Sequence, residues 1–189
     1  MARIVGLAGS LRRDSFNAAL LRQAAAVAPA GSRIDIHSIR EVPLYDGDVE
    51  AASGIPEAVA RLKDAVAQAD GLLLVTPEYN NGIPGVFKNA IDWMSRPSQD
   101  IARVFGGTPV ALVGASPGPF GTLLSQTAWL QVLRTLGTRP WFGGRLMLSH
   151  ADRAFDERGA LKDPAMQQRL ASFVAGFCAF CDAGGNAAE

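Results

Sequence analysis

The segment at residues 9–17, called the first loop below, has the side chains of an anion site. Ser10 and Ser15 carry hydroxyl donors, Asn17 carries an amide, and Arg12 carries a guanidinium that stays charged at any usable pH. The segment leads into a predicted helix, whose free backbone N–H groups and positive dipole end attract phosphate. We therefore predict that it binds a phosphate group. An ordinary alternative also stands, in which Ser15 caps the helix and Arg12 is a solvated surface charge.

Two further segments are rich in turn-forming and polar residues. The second loop, residues 77–85, contains Tyr79, which could pack beside a flat ring, and exposed backbone that could hydrogen-bond the polar edge of that ring. The third loop, residues 114–121, contains Ser116 and glycines that allow close backbone approach. Each loop alone could be an ordinary turn. Their joint occurrence predicts a shared ligand.

The first loop excludes two common nucleotide-binding motifs. It is not Gly-x-x-x-x-Gly-Lys-Ser/Thr, and it is not Gly-x-Gly-x-x-Gly. A phosphate monoester held by hydroxyls and one arginine suits a mononucleotide such as FMN. With a flavin as the reacting group, no catalytic side chain is predicted, because the cofactor supplies the chemistry.

Alternating apolar runs and helical patterns predict the elements that position these loops. We predict strands at residues 3–8, 33–38, 71–76 and 109–114, with a weaker one at 145–149, and helices at 15–27, 55–68, 84–96, 122–136 and from Pro164 onward. This alternation indicates an α/β fold, a three-layer doubly wound parallel five-stranded sheet with strand order 2-1-3-4-5. In that order strands 1, 3 and 4 are neighbours, so the three loops would meet beyond their carboxyl ends.

Length and composition favour one compact domain. The chain has 189 residues, 48% of them hydrophobic, and 18 basic and 18 acidic residues, so its formal net charge is zero. This balance argues against a nucleic-acid partner and against a strongly acidic electron-shuttle surface. We predict a single domain over residues 1–182 and a disordered tail over 183–189.

Several other features carry little chemistry. The two cysteines, Cys178 and Cys181, are too few for a disulfide scaffold and lie late in a helix, which disfavours a thioredoxin-like role. The two histidines, His37 and His150, have no ligand-spaced partner, and no metal site is predicted. No apolar run is long enough for membrane insertion. We expect a cytoplasmic protein.

The predicted helix at residues 122–136 has apolar side chains in almost all directions. A helix that covers an open sheet usually keeps one face exposed to solvent, so this pattern indicates that the helix is buried on two sides. We predict a homodimer through this helix and the helix at 84–96. Trp93 and Trp129 could anchor that interface or belong to the core.

The loops together resemble the NADPH-dependent FMN reductase family, which includes bacterial chromate and quinone reductases with a flavodoxin-like fold. The resemblance is carried by Gly9-Ser10-Leu11-Arg12, residues 15–17, Pro77-Glu78-Tyr79-Asn80 and residues 84–93. Residues 43–46 and 116–118 also fit. Asn81 stands where some relatives have an aromatic residue, and Thr122 stands where a second glycine is frequent.

The resemblance implies noncovalently bound FMN, reduced by NADPH or NADH. It implies reoxidation by quinones, flavin or another small-molecule electron acceptor, chromate among them, and assembly into dimers or tetramers. Because the flavin carries the chemistry, we expect a ping-pong cycle in which the nicotinamide leaves before the acceptor takes its place. The resemblance also implies a set of cofactor-binding residues: Ser10, Leu11, Arg12, Ser15, Phe16 and Asn17 on the phosphate side, Pro77, Glu78, Tyr79, Asn80 and Asn81 along the ring, and Ser116 and Gly118 at its other edge.

Two other functions remain open at this stage. One is a flavodoxin-type electron carrier without its own NAD(P)H reductase activity. The zero net charge and Arg12 both count against it. The other is a non-flavin mononucleotide or phosphate binder, which has no suitable nucleophile here for phosphatase chemistry.

Overall fold

A parallel β-sheet lies at the centre of the protein in the computed structural model, which describes residues 1–185. Its strands are β1 (Arg3–Ala8), β2 (Arg33–His37), β3 (Gly71–Val75), β4 (Pro109–Ala115), β5 (Arg139–Pro140) and β6 (Leu146–Leu148). Their order is β2-β1-β3-β4-β5, with β6 also paired to β4, and every pairing is parallel. The predicted flavodoxin-like α/β fold and its strand order are confirmed.

Helices cover both faces of this sheet. They are α1 (Phe16–Ala26), α2 (Gly47–Ser53), α3 (Glu57–Ala67), α4 (Gly85–Met94), α5 (Ile101–Phe105), α6 (Leu123–Thr135), α7 (Ala151–Ala154) and α8 (Pro164–Gly185). The sequence did not predict α2, α5 or α7. These helices are short, and α2 buries none of its residues, so it has no apolar period to detect.

Alternation along the strands produces two separate cores. In β3, Leu73 and Val75 point to the face covered by α1 and α8, whereas Leu72 and Leu74 point to the face covered by α3, α4 and α6. Both faces are therefore apolar, as expected for a parallel sheet between two helical layers.

The fifth sheet position differs from the prediction, because two short strands share it. β5 pairs with the first residues of β4, and β6 pairs with the last. Between them the chain passes around the ring of Trp141, and a Cβ added at Gly143 would lie 2.5 Å from its Nε1. Because this indole packs inward against Phe173 of α8, the chain cannot continue as one strand there.

The tryptophans proposed as interface anchors belong to the core. Trp93 and Trp129 are fully buried, and the ring of Trp129 packs edge-on against Phe87 at 5.1 Å. Helix α6 buries Ser125, Trp129 and Leu133 against the sheet and leaves Leu124 exposed.

Helix α8 is the last element of the described part of the chain. Asp163 accepts a hydrogen bond from Ala165 N at 3.0 Å and thereby caps the N-terminus of α8. The tail is predicted from residue 183, whereas α8 extends to Gly185, and residues 186–189 lie outside the described part of the chain. Among residues 1–185, no helix combines the length and apolar character needed to cross a bilayer.

Backbone hydrogen bonds hold the starts of the three loops side by side. Gly9 N donates to Val75 O at 2.9 Å, and Thr76 N donates to Val113 O at 2.8 Å. Position 9 also requires a residue without a side chain, because a Cβ on Gly9 would lie 2.1 Å from Cδ1 of Phe87. The first loop can therefore press directly onto helix α4.

Candidate functional site

The three loops enclose a small cavity at the carboxyl ends of β1, β3 and β4. Its volume is about 90 Å³, and its wall contains most of the residues proposed from the sequence, namely Ser10, Arg12, Ser15, Phe16, Asn17, Pro77, Glu78, Tyr79 and Ser116, with Ala115 and Pro117. Leu11, Asn80, Asn81 and Gly118 do not line it. The structure thus brings together side chains that are far apart in sequence.

The first loop presents backbone donors to this cavity. Ser15 Oγ accepts a hydrogen bond from Ala18 N at 3.2 Å and caps α1. Residues 15–17 line the cavity, and their backbone N–H groups donate to no other residue within 1–185. These free donors at a helix N-terminus favour an anion.

Arg12 remains available to a ligand. Its side chain is exposed, and its guanidinium carbon lies 5.6 Å from the centre of the Phe16 ring. No carboxylate within the described residues pairs with it. The Ser10 hydroxyl lies beside it and accepts from Arg12 N at 3.3 Å.

Asn17 has a structural role that the sequence did not reveal. Its side chain is buried, donates to Ala115 O at 2.8 Å and accepts from Ala115 N at 2.9 Å. Both heavy atoms of the amide are therefore bound to the end of β4. One Nδ2 hydrogen is left for a ligand in the cavity.

Glu78 also holds the protein together. One of its carboxylate oxygens accepts from Leu124 N at 2.8 Å and from Ser125 N at 3.0 Å, at the N-terminus of α6. Thr122, at the capping position of α6, makes no side-chain capping bond. Glu78 therefore replaces the missing cap and ties the second loop to this helix.

The rest of the second loop is a tight hairpin turn. Tyr79 and Gly82 exchange both backbone hydrogen bonds, and Asn80 and Asn81 between them have φ values of 49° and 61°. Asparagine tolerates this left-handed conformation better than most residues. The two asparagines therefore form the exposed tip, while the Tyr79 hydroxyl donates to Ser10 Oγ at 3.4 Å.

The third loop is fastened to β6. Ser116 N donates to Leu148 O at 2.9 Å, and the Ser116 hydroxyl accepts from Gly118 N at 3.3 Å. Gly118 does not line the cavity, and its carbonyl accepts a hydrogen bond from the backbone N–H of His150 at 3.3 Å. Ser116 thus contributes a polar side chain to the site, beside the apolar side chains of Ala115 and Pro117.

A buried polar cluster beneath the second loop was missed by the sequence analysis. Thr76 Oγ1 accepts from Trp129 Nε1 at 3.0 Å and hydrogen-bonds Ser125 Oγ at 2.8 Å. These three residues lie within apolar runs of the sequence, so only their contacts in the folded protein identify them as a polar cluster. The cluster anchors the end of β3 to α6.

The cysteines lie away from this site, in the core between α8 and the sheet. Burial raises the pKa of the Cys178 thiol and raises that of Cys181 to about 12. A redox-active or nucleophilic cysteine needs a lowered pKa and some exposure. Within residues 1–185, no group of three or more metal-ligating side chains forms a metal site.

Comparison with known proteins assigns the family. Residues 2–153 match the family model described as NADPH-dependent FMN reductase. The chain belongs to the NADPH-dependent FMN reductase family. This confirms the resemblance seen in the loop motifs, and with it FMN and NAD(P)H as the cofactor and electron donor of the family.

Individual relatives within the NADPH-dependent FMN reductase family agree over most of the chain. An NAD(P)H-dependent FMN reductase of Pseudomonas aeruginosa is 44% identical over 168 residues, 89% of each chain. A 2-hydroxy-1,4-benzoquinone reductase of Burkholderia sp. is 37% identical and covers 94% of this chain and 95% of its own. The solved structure of FerB, an NAD(P)H:(acceptor) oxidoreductase from Paracoccus denitrificans, superposes with a TM-score of 0.86 at 32% identity, covering 97% and 99%.

Glu78→Ala is expected to lower the free energy of unfolding by about 1 kcal/mol, because it removes the cap of α6. Glu78→Gln keeps an acceptor oxygen and should lose less. Urea unfolding followed by circular dichroism measures both. Glu157→Ala is the control, since Glu157 is exposed and forms no ion pair within residues 1–185. Equal stability of the Glu78→Ala and Glu157→Ala proteins would contradict the capping role.

Proposed function

We propose that the protein is an NAD(P)H-dependent FMN reductase that passes electrons from bound FMN to quinones. The observation that carries this proposal is the cavity between the three loops, with free backbone donors on one side and the Tyr79 ring on the other. The names of the Pseudomonas aeruginosa and Burkholderia relatives support the donor and the acceptor class.

The phosphate of FMN fits the first loop. The free N–H groups of residues 15–17, the Ser10 hydroxyl and the Arg12 guanidinium are donors, as a doubly charged monoester requires. Ser15 contributes mainly by capping α1, which keeps the helix N-terminus aimed at the cavity. Asn17 keeps its two bonds to Ala115 and offers its remaining hydrogen.

In this proposal the flavin ring lies against the second and third loops. Tyr79 is 48% exposed and flanks the cavity, with Pro77 and Ser116 on the wall beside it. When bound, FMN supplies hydride transfer between the nicotinamide donor and the acceptor. The protein binds and orients the partners, and Glu78 keeps the second loop in place through α6.

Donor and acceptor use the site in turn in this proposal, which is a ping-pong order. The support is chemical: donor and acceptor both exchange electrons with the same flavin ring, so each needs the open face of that ring. Quinones are the preferred acceptor because of the Burkholderia relative's name, and flavin or chromate are other small acceptors to test.

The buried free thiols of Cys178 and Cys181 suit a reducing cytoplasm.

We also propose that the protein forms a homodimer or a tetramer through α6, with α4 beside it. Leu124 is 45% exposed on α6, and a groove of about 300 Å³ lined by Leu123, Leu130 and Trp141 runs beside it to Phe142, which is 72% exposed. A second copy of the chain would cover these apolar side chains.

Anaerobic addition of NADPH or NADH to the FMN-loaded protein should bleach the visible flavin absorbance within seconds. Adding a benzoquinone should then restore it. A flavodoxin-type carrier would keep its absorbance until a separate reductase is supplied. Persistence of the flavin colour with both nicotinamides would therefore reject the reductase proposal.

Arg12→Ala is expected to raise the Kd for FMN roughly 10–100-fold, the effect of removing a charge-assisted hydrogen bond. Fluorescence titration of FMN with the protein measures this. Thermal stability should stay unchanged, because Arg12 is exposed and contacts mainly the Phe16 ring. Arg169→Ala, also exposed, is the matched control, and equal FMN affinity of both variants would count against the phosphate site.

Light scattering after gel filtration at micromolar concentration should give at least twice the 19.9 kDa mass of one chain. Leu124→Glu should shift the protein toward monomer, since it places a charge on the apolar surface of α6. Gln168→Glu on α8 is the control and should leave the mass unchanged. A monomer for the unaltered protein would refute the assembly.

A further inference from the structure

A second and larger cleft lies on the other side of the first loop. Its volume is about 720 Å³, and it is bounded by α1, by the end of β2 and by residues 38–40. Ser10 and Arg12 line both this cleft and the cavity between the three loops. The first loop is therefore a thin wall with a ligand-sized depression on each side.

Arginine side chains surround this cleft without any acidic partner. Arg12, Arg13, Arg22 and Arg40 line it, together with His37, and its wall contains no Asp or Glu. None of these four guanidinium groups pairs with a carboxylate within 4.0 Å in residues 1–185. In a chain whose net charge is zero, this is a local concentration of positive charge.

Two of the four arginines make contacts within the protein. Arg40 donates to the carbonyl of Leu11, and Arg12 lies over the Phe16 ring. Arg13 and Arg22 are exposed, and no side-chain hydrogen bond holds either of them within the described residues. They approach the cleft from the first loop and from α1, so they can converge on a ligand between these elements.

The floor of the cleft is apolar. Ala8, Ala18, Leu21 and Ile36 line it, and Ile36 is 48% exposed on the edge strand β2. Ser38 adds a hydroxyl at the end of that strand. Arginines at the rim and apolar side chains on the floor suit a ligand that carries a phosphate group together with a flat ring or a sugar.

We propose that this arginine cleft binds a phosphate ester and is a second anion site, separate from the one that would hold the FMN phosphate. Two sources share that chemistry. One is the 2′-phosphate of NADPH, in which case the inference deepens the proposed function by placing a determinant of donor choice. The other is a separate phosphorylated small molecule that acts next to the first loop.

Calorimetric titration of the FMN-saturated protein with adenosine 2′,5′-bisphosphate tests the cleft directly. Saturation with FMN keeps the probe away from the flavin phosphate site. The double substitution Arg13→Gln and Arg22→Gln should weaken probe binding at least tenfold. The matched control is Arg134→Gln with Arg169→Gln, which removes the same charge from exposed arginines on α6 and α8 that form no ion pair within residues 1–185.

Steady-state kinetics of the same proteins distinguishes the two sources. If the ligand is the donor, kcat/KM for NADPH falls at least fivefold in the Arg13→Gln, Arg22→Gln protein, while kcat/KM for NADH changes less than twofold. If the ligand is a separate molecule, probe binding weakens and both kinetic constants stay unchanged. Either pattern supports a phosphate site in the cleft.

Two results would overturn the proposal. One is absence of probe binding to the unaltered protein at millimolar concentration. The other is equal probe affinity in the cleft variant and in the Arg134→Gln, Arg169→Gln control. Flavin content is measured on every sample by absorbance. A protein that takes up no FMN rejects the proposed function, while the difference in probe affinity between the cleft variant and its control still reports on the cleft.

Discussion

The pair of hydrogen bonds between the Asn17 side chain and the backbone of Ala115 is the contact on which the ligand-facing end of the molecule depends. Asn17 lies in the first turn of α1 and Ala115 ends β4, although β3 separates β1 from β4 in the sheet. The amide is buried, so removing one partner would leave polar groups unsatisfied at a cost of about 1–3 kcal/mol each. This contact keeps the helix N-terminus and the third loop on the same cavity.

The polar residues at the cavity divide into those held by the protein and those left for a ligand. Asn17, Glu78 and Ser15 are engaged by backbone N–H groups of neighbouring elements. Arg12 and Tyr79 are exposed. Backbone donors of the first loop add to them. Much of the affinity for a phosphate would thus come from main chain that these internal contacts position.

Charge is distributed unevenly although its sum is zero. Arg3, Arg33 and Arg61 are paired with carboxylates on the surface, whereas the arginines on both sides of the first loop are unpaired within the described residues. Such a local excess attracts anions over roughly a Debye length, about 8 Å at physiological salt. Total composition cannot show this feature, because it depends on which side chains meet after folding.

The sequence by itself determined the α/β class and the three polar loops, because apolar period and turn residues are local properties of the chain. The strand order, and with it the meeting of the loops, followed from the order common among doubly wound sheets of this size. The sequence also determined the family, through the residues of the first and second loops. Only the tertiary structure decided that Asn17 and Glu78 fasten the loops, that Asn80 and Asn81 form an exposed tip, and that Trp141 divides the edge strand. Each of these features depends on a partner 20 or more residues away or on a backbone conformation, and local sequence patterns reveal neither.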